Sequence, residues 1–385
     1  MALLICVTHI NYTPWVIVTM QLQLIPTKED AARLEATMRR FNEAADWLAG
    51  EAFAAKSANK VALQRTHYAT LRSKFSLSAQ MTVRCIAQVC EAYKRDKSIR
   101  PHFRPFAAIP YDQRIASFKA LDRISLLTLD GRILVPYLIG KYQRERFTSA
   151  KGQCDLVRRK DGKWFLLVTV DLPEKTRLPA TDFIGVDFGV VNIATTSDGT
   201  MHSGDGIEQC RSRYSRLRRS LQKTASAKIK EGIRPKNIRR KLKAISSNES
   251  RFRRDVNHCI SKSLVKCAKD SGRGIAGEDL TYIRERTRFR KPQRGRMSGW
   301  AFFQLREFVT YKAILAGVDL RMVDPRGTSR ICNVCGFEAK ANRKSQAEFV
   351  CGQCAHTEHA DVNAAKNIRS RAAVMLPIVS ERAAA

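Results

Sequence analysis

The sequence predicts an α+β protein of several domains. Three observations predict it: a helical segment inserted between strand-rich stretches, a second half in which short buried strands are separated by long helical patterns, and a four-cysteine cluster near the C-terminus. At 385 residues the chain is long enough for two or three domains, each with its own core. An apolar fraction of 44% excludes wholesale disorder. The charge is extreme, with 69 Lys and Arg against 36 Asp and Glu, a formal +33. Self-repulsion on that scale calls for a polyanionic partner. The charge is spread over most of the chain, which favours nucleic acid over a membrane surface. No apolar run reaches the roughly 18 residues of a membrane span.

The elements follow in order. The opening "MALLICVTHINYTPWVIVTMQLQL" has no Lys or Arg before Lys28, and polar residues interrupt its apolar run. It reads as a strand entering the fold, with Val16 to Leu24 the strand-like part, rather than as a secretory signal. Met1 and Met20 are both candidate starts. From Thr27 to about Arg95 the pattern is helical. Thr27 is a candidate N-cap with acidic residues in the first turn, and Leu34, Met38, Phe41, Ala45 and Leu48 recur at helical spacing. A later helix, "SLSAQMTVRCIAQVCEAYKR", is capped near Ser76 or Ser78. From about 97 to 175 the period changes to two. "ISLLTLDGRILVPYL" and "CDLVRRKDGKWFLLVTVDL" are hairpins that turn at Asp130-Gly131 and Asp161-Gly162. With the strand before the helices, they predict a small β-barrel carrying a helical insert.

A third region starts near 181, with another hairpin signal at Asp198-Gly199. Between Arg211 and Arg254 the only acids are Glu231 and Glu249, which favours phosphate contact over a merely solvated face. A second basic stretch, "RERTRFRKPQRGR" at 284 to 296, is loop-like.

Three carboxylates stand out. In "FIGVDFGVVNIATTSDGT", strand alternation sends Ile184, Val186 and Phe188 to a core and Gly185, Asp187 and Gly189 to the other face. The small neighbours predict open space beside Asp187 for a metal ion and a sugar-phosphate backbone. In "GIAGEDLTYIR", Glu278 and Asp279 stand at the C-terminal end of a short buried strand, where α/β sheets place ligands. In "HADVNAAKNIRSRAA", Asp361 stands at a helix start whose apolar side is Ala364, Ala365 and Ile368. Each has a plainer reading as a turn or helix cap. Together Asp187, Glu278 and Asp361 form a set of hard oxygen ligands suited to Mg²⁺, and two such ions about 4 Å apart can drive phosphodiester hydrolysis.

Of the 11 cysteines, seven are scattered: Cys6, Cys85, Cys90, Cys154, Cys210, Cys259 and Cys267. The odd total without secretory context points to a reducing compartment. The other four form "CNVCGFEAKANRKSQAEFVCGQC", in which Cys332-x-x-Cys335 and Cys351-x-x-Cys354 are two knuckles that complete a tetrahedron around a structural zinc ion. His356 and His359 follow and read as surface histidines near the third carboxylate rather than as ligands. The cluster ends just before Asp361, which makes it a lid or clamp beside that residue.

"IGVDFGVVNIATTSDG", "GEDLTYIRERTRFRKPQR", "WAFFQLREFVTYKAILAGVDLRMVDPRGTSRICNVCG" and "HADVNAAKNI" resemble, in order and spacing, the TnpB family of transposon-encoded RNA-guided DNA nucleases, relatives of type V CRISPR effectors. The match runs from about Ile184 to Ile368. Phe188, where a smaller aliphatic residue is common, and Arg326-Gly327 depart from the pattern. The resemblance implies a split wedge β-barrel over 1–26 and 97–175 and a helical recognition domain over 27–96. It implies an RNase H-like RuvC nuclease domain over 176–330 and 355–378, a zinc-ribbon insert over 331–354, and a tail over 379–385. It implies that Asp187 bridges two Mg²⁺ ions, that Glu278 and Asp361 each hold one, and that Cys332, Cys335, Cys351 and Cys354 hold Zn²⁺. The implied partners are a guide RNA and target double-stranded DNA beside a short adjacent motif, with a monomer in the RNA complex, in a bacterial or archaeal cytoplasm. A small type V CRISPR effector, a non-cleaving RNA-guided repressor and a transposase working without RNA are the alternatives.

Overall fold

The structure, a computed structural model, describes residues 15–119, 122–147, 150–177, 179–279 and 302–374. Residues 1–14, the basic stretch at 284–296 and the tail at 379–385 lie outside the described residues. The chain divides into two compact units, one spanning Ile17–Leu172 and the other running from Pro173 onward.

The first unit begins with β1 (Trp15–Leu24) and then three helices: α1 (Lys28–Ala54), α2 (Lys60–Phe75) and α3 (Ala79–Arg95). Thr27 caps α1 by accepting from the Asp30 amide, and Ser78 caps α3 by accepting from Met81. The stripe Leu34, Met38, Phe41, Ala45 and Leu48 is fully buried. After the helices come β2 (Ile109–Tyr111), β3 (Ala116–Phe118), β4 (Arg123–Thr128), β5 (Gly131–Leu138), the single turn α4 (Lys141–Arg144), β6 (Ala150–Arg158) and β7 (Trp164–Pro173). These strands form one seven-stranded sheet in the order β2-β6-β7-β1-β5-β4-β3. Its two edge strands, β2 and β3, are consecutive in the chain, and Tyr111 Oη donates to the Leu127 carbonyl at 2.8 Å, so the sheet nearly closes on itself. β1 lies in the middle of the sheet although three helices separate it from the rest, which makes the helices an insert in a barrel. The predicted turns are built as expected: Gly131 and Gly162 take φ of +98° and +86°, values that a side chain disfavours.

The second unit contains β8 (Phe183–Asp187), β9 (Asn192–Thr196), β10 (Met201–Ser203), α5 (Asp205–Lys230), α6 (Lys236–Ile245), α7 (Asn248–Asp270), β11 (Gly274–Glu278), α8 (Phe302–Ala316), β12 (Leu320–Val323), β13 (Glu348–Val350), β14 (Thr357–His359) and α9 (Ala360–Val374). Five strands form a mixed sheet in the order β10-β9-β8-β11-β12. β8, β9 and β10 are an antiparallel meander, while β11 runs parallel to β8 and β12 parallel to β11.

Both faces of this sheet are covered, and the alternation along β8 decides what covers each. Ile184, Val186 and Phe188 pack with Ile260, Leu264 and Val265 of α7 and with Leu305 and Val309 of α8. Phe183, on the other face, packs with Ile368 and Ala372 of α9. The bulky Phe188 is accommodated across the sheet by Gly277, where an added Cβ would come within 3.1 Å of its ring.

Candidate active site and metal centre

The register puts two of the three carboxylates side by side. Val186 on β8 pairs with Gly277 on β11, so Asp187 and Glu278 follow on neighbouring parallel strands and on the same face, a strand spacing of about 4.8 Å apart. α9 lies across that face and brings Asp361, in its first turn, to the same place. Asp361 and Glu278 are 3% and 8% exposed, while Asp187 is partly exposed at the strand end. Burial, and then the charges of Glu278 and Asp361, push the Asp187 carboxyl up to about 8, with the Arg343 guanidinium opposing them. Burial also raises the Glu278 carboxyl, against the hydrogen bond from Thr328. Like charges this close are unfavourable without a cation, and Arg343 is the protein's own partial answer.

The glycines flanking Asp187 do not open space for a substrate, contrary to the sequence expectation. A Cβ at Gly185 would stand 1.9 Å from the Ala365 carbonyl oxygen and 2.8 Å from the Arg369 amide of α9. A Cβ at Gly189 would stand 2.6 Å from the Asn192 carbonyl oxygen. Gly185 therefore admits a helix backbone, and Gly189 a tight turn into β9. The close approach at Gly185 is what carries Asp361 up to Asp187.

The plainer capping role of Asp361 gives way to side-chain contacts. Its Oδ1 accepts from Arg343 Nη2 at 2.9 Å and its Oδ2 from Asn192 Nδ2 at 3.0 Å. His359 Nδ1 receives the Asp361 amide at 3.2 Å instead, so His359 belongs to the helix start rather than the surface. His356 likewise joins a network with Asn333 and Glu358. Glu278 accepts from Thr328 Oγ1 at 2.5 Å. Asp279 pairs with Arg306 at 2.8 Å. Sequence reasoning missed Asn192, Thr328 and Arg343. Asn192 and Thr328 lie inside stretches singled out by resemblance, whereas Arg343 sits between the two cysteine knuckles, where nothing in the local pattern distinguishes it from other basic residues.

The thiols of Cys332, Cys335, Cys351 and Cys354 lie within 4.8 Å of one another. Cys332 and Cys354 Sγ are 3.7 Å apart and Cys335 and Cys351 Sγ 3.5 Å, close to the edge of about 3.8 Å that a tetrahedron with Zn–S bonds of about 2.3 Å requires. The amides of Cys354 and Gln353 donate to Cys351 Sγ and bring its thiol down to about 6. The four residues fit a zinc ion with no open position.

Among the described residues no other group of three or more potential ligands closes within 4.8 Å. Asp187, Glu278 and Asp361 are therefore not a one-ion cage. Their fit to divalent cations rests on other features: hard oxygen donors, an excess of negative charge, and a buried Thr195 hydroxyl without a partner on the strand position paired with Asp187.

The ribbon is tied to α9 by amides. Asn363 accepts from the Asn333 amide at 3.0 Å and donates to the Ile331 carbonyl at 2.8 Å, and Asn367 donates to the Thr328 carbonyl at 2.8 Å. Elsewhere in this unit, α5 and α6 present the one-sided charge. α5 carries eight Lys and Arg against two acids, α6 carries five against none, and neither buries a residue.

A five-stranded mixed sheet of this order, with carboxylates on two adjacent strands and on the helix crossing them, and with a four-cysteine cluster leading into that helix, is an α/β layout with an acidic site on one face. Two family models match segments of the chain. Residues 166–274 match a model described as "Probable transposase", and residues 302–368 match the Cas12f1-like TNB domain. The chain is 26% identical over 292 residues to "Putative RNA-guided DNA endonuclease InsQ" of Escherichia coli, covering 71% of each chain. It is 32% identical over 216 residues to the CRISPR-associated endodeoxyribonuclease Cas12f1 of Sulfoacidibacillus thermotolerans, covering 54% of this chain and 50% of that one. A cryo-EM structure of a Cas12f1-sgRNA-target DNA complex superposes with a TM-score of 0.55 at 13% identity, covering 93% of this chain and 99% of that chain, which is a likeness of fold. The chain is thus similar, over the matched segments, to an RNA-guided endonuclease of transposon type and to Cas12f1. It spans about half the length of the Cas12f1 relative.

Proposed function

We propose that this chain is an RNA-guided DNA endonuclease of the TnpB type, using a transposon-derived guide RNA to cut double-stranded DNA beside a short adjacent motif. The single observation that carries the reading is the convergence of Asp187, Glu278 and Asp361 from β8, β11 and α9 in a protein of charge +33. The names of its relatives support the same activity.

Divalent magnesium held by these carboxylates would supply positive charge to the attacking and leaving oxygens of a phosphodiester, giving a 5′-phosphate and a 3′-hydroxyl. The chain's own residues do the rest. The strands fix Asp187 and Glu278 in register, Thr328 holds Glu278 in one orientation, and Arg343 neutralises part of the charge until metal arrives. The lysines and arginines of α5 and α6 bind phosphate backbone without reading sequence. Base pairing with the guide reads the target. In this reading residues 1–26 and 97–175 are the wedge, 27–96 the recognition helices, 176–330 and 355–378 the nuclease, and 331–354 the zinc ribbon. No described helix is long and apolar enough to cross a membrane, and the proposed site of action is the nucleoid.

The test is purification with bound RNA, sequencing of that RNA, and cleavage of a matching duplex with Mg²⁺. Asp187→Ala should bind RNA and target but leave the DNA intact. Cleavage by that variant would remove the proposed site, and absence of co-purifying RNA would favour a transposase of the same fold.

A further inference from the structure

Asp361 is held by two donors of different kind. Arg343, which takes Oδ1, is a cation on the ribbon. Asn192, which takes Oδ2, is a neutral amide at the start of β9, and the hydrogen bond joins residues 169 apart in sequence. Arg343 is also the cation that opposes the rise of the Asp187 carboxyl, so the guanidinium on Oδ1 serves both carboxylates. A divalent ion entering there replaces a guanidinium cation for cation and has no such reason to expel an amide. The backbone that carries Asn192 is fixed by the tight turn at Gly189.

We infer that Asn192 is a positioning residue of the carboxylate centre: its amide retains Asp361 Oδ2, so that Oδ1 alone is offered to a divalent ion when Arg343 gives it up. The inference rests on the reading of the trio as a metal centre. A partner of this kind fixes the rotamer of a ligand and sharpens its geometry, and loss of such a partner typically lowers metal affinity 10- to 100-fold.

The experiment uses the full chain with its co-purified RNA and titrates Mn²⁺ by electron paramagnetic resonance, counting bound ions and their affinities without any turnover. Asn192→Leu keeps the shape of the side chain and removes the donor. It should weaken the tighter Mn²⁺ ion by about tenfold or more, while zinc content and melting temperature stay at wild-type values. Asn192→Ser keeps a shorter donor and should fall between Leu and wild type. The Mg²⁺ concentration for half-maximal cleavage should rise in the same order. If Asn192→Leu is folded and titrates like the wild type while Asp361→Asn loses an ion, the inference is overturned and the metal reading stands. If Asp361→Asn also titrates like the wild type, both are overturned.

Discussion

Replacing Asp187 with asparagine should make the magnesium-free protein more stable, and increasingly so as pH rises. The carboxyl stands at about 8 in the fold against an ordinary value of 3.8, because burial and the charges of Glu278 and Asp361 disfavour ionisation. The sign follows from linkage. A raised carboxyl binds its proton in the native state where the unfolded chain has lost it, so stability falls as pH climbs from about 4 towards 8. A displacement of that size corresponds to at most about 5 kcal/mol near pH 7.5. Asp187 is partly exposed, and Arg343 can adjust, so solvent screening reduces the realised figure to about 1–3 kcal/mol. Asparagine has the same shape and no charge. In a unit of this size that gain raises the melting temperature by about 3–10 °C. The assay is a thermal melt of both proteins in Mg²⁺-free buffer at several values between about pH 4.5 and 8, without a chelator that would strip zinc. The two curves should coincide at the acid end and separate towards pH 8, and added Mg²⁺ should stabilise the wild type alone. A difference that is flat with pH, or a less stable variant, would refute the electrostatic account of the trio.

Three further outcomes follow from other parts of the molecule. Gly185→Ala drives a methyl into the Ala365 carbonyl of α9, and denaturant unfolding should show a loss of about 3 kcal/mol or more, or no soluble protein. Cys351→Ser should lose about one zinc per chain by elemental analysis and expose the 331–359 region to limited proteolysis, because the ligand set then cannot close. Changing Arg216, Arg219, Lys223 and Lys230 to glutamine should lower the slope of log affinity against log salt for RNA by about 3, and an unchanged slope would take α5 out of the interface.

Much of this architecture was legible because it follows from short-range rules. Period-two alternation along β8 assigned both its faces, the Asp-Gly turns placed the hairpins, Thr27 and Ser78 marked helix starts, and the cysteine spacing specified the ribbon. The same rules misread Gly185. A missing side chain can mean room for a ligand or room for another backbone, and only the path of α9, some 180 residues later, decides between them. Arg343 was illegible for a related reason. Its partner Asp361 stands beyond the second knuckle, at the start of α9, and a basic residue among so many carries no local mark. Asn192 and Thr328 were visible as letters, but their contacts are tertiary.

α9 starts directly where β14 ends, with His359 receiving the Asp361 amide, Asn363 bonded to Asn333 inside the first knuckle and Asn367 to the turn at Thr328 before it. The short link from Cys354 to Asp361 is thus a splice with no slack. One residue added or removed after Cys354 would rotate α9 by about a hundred degrees and turn its acidic residue away from the sheet. The closure of the cysteine cluster and the aim of the Asp361 carboxylate are thereby joined in one mechanical part.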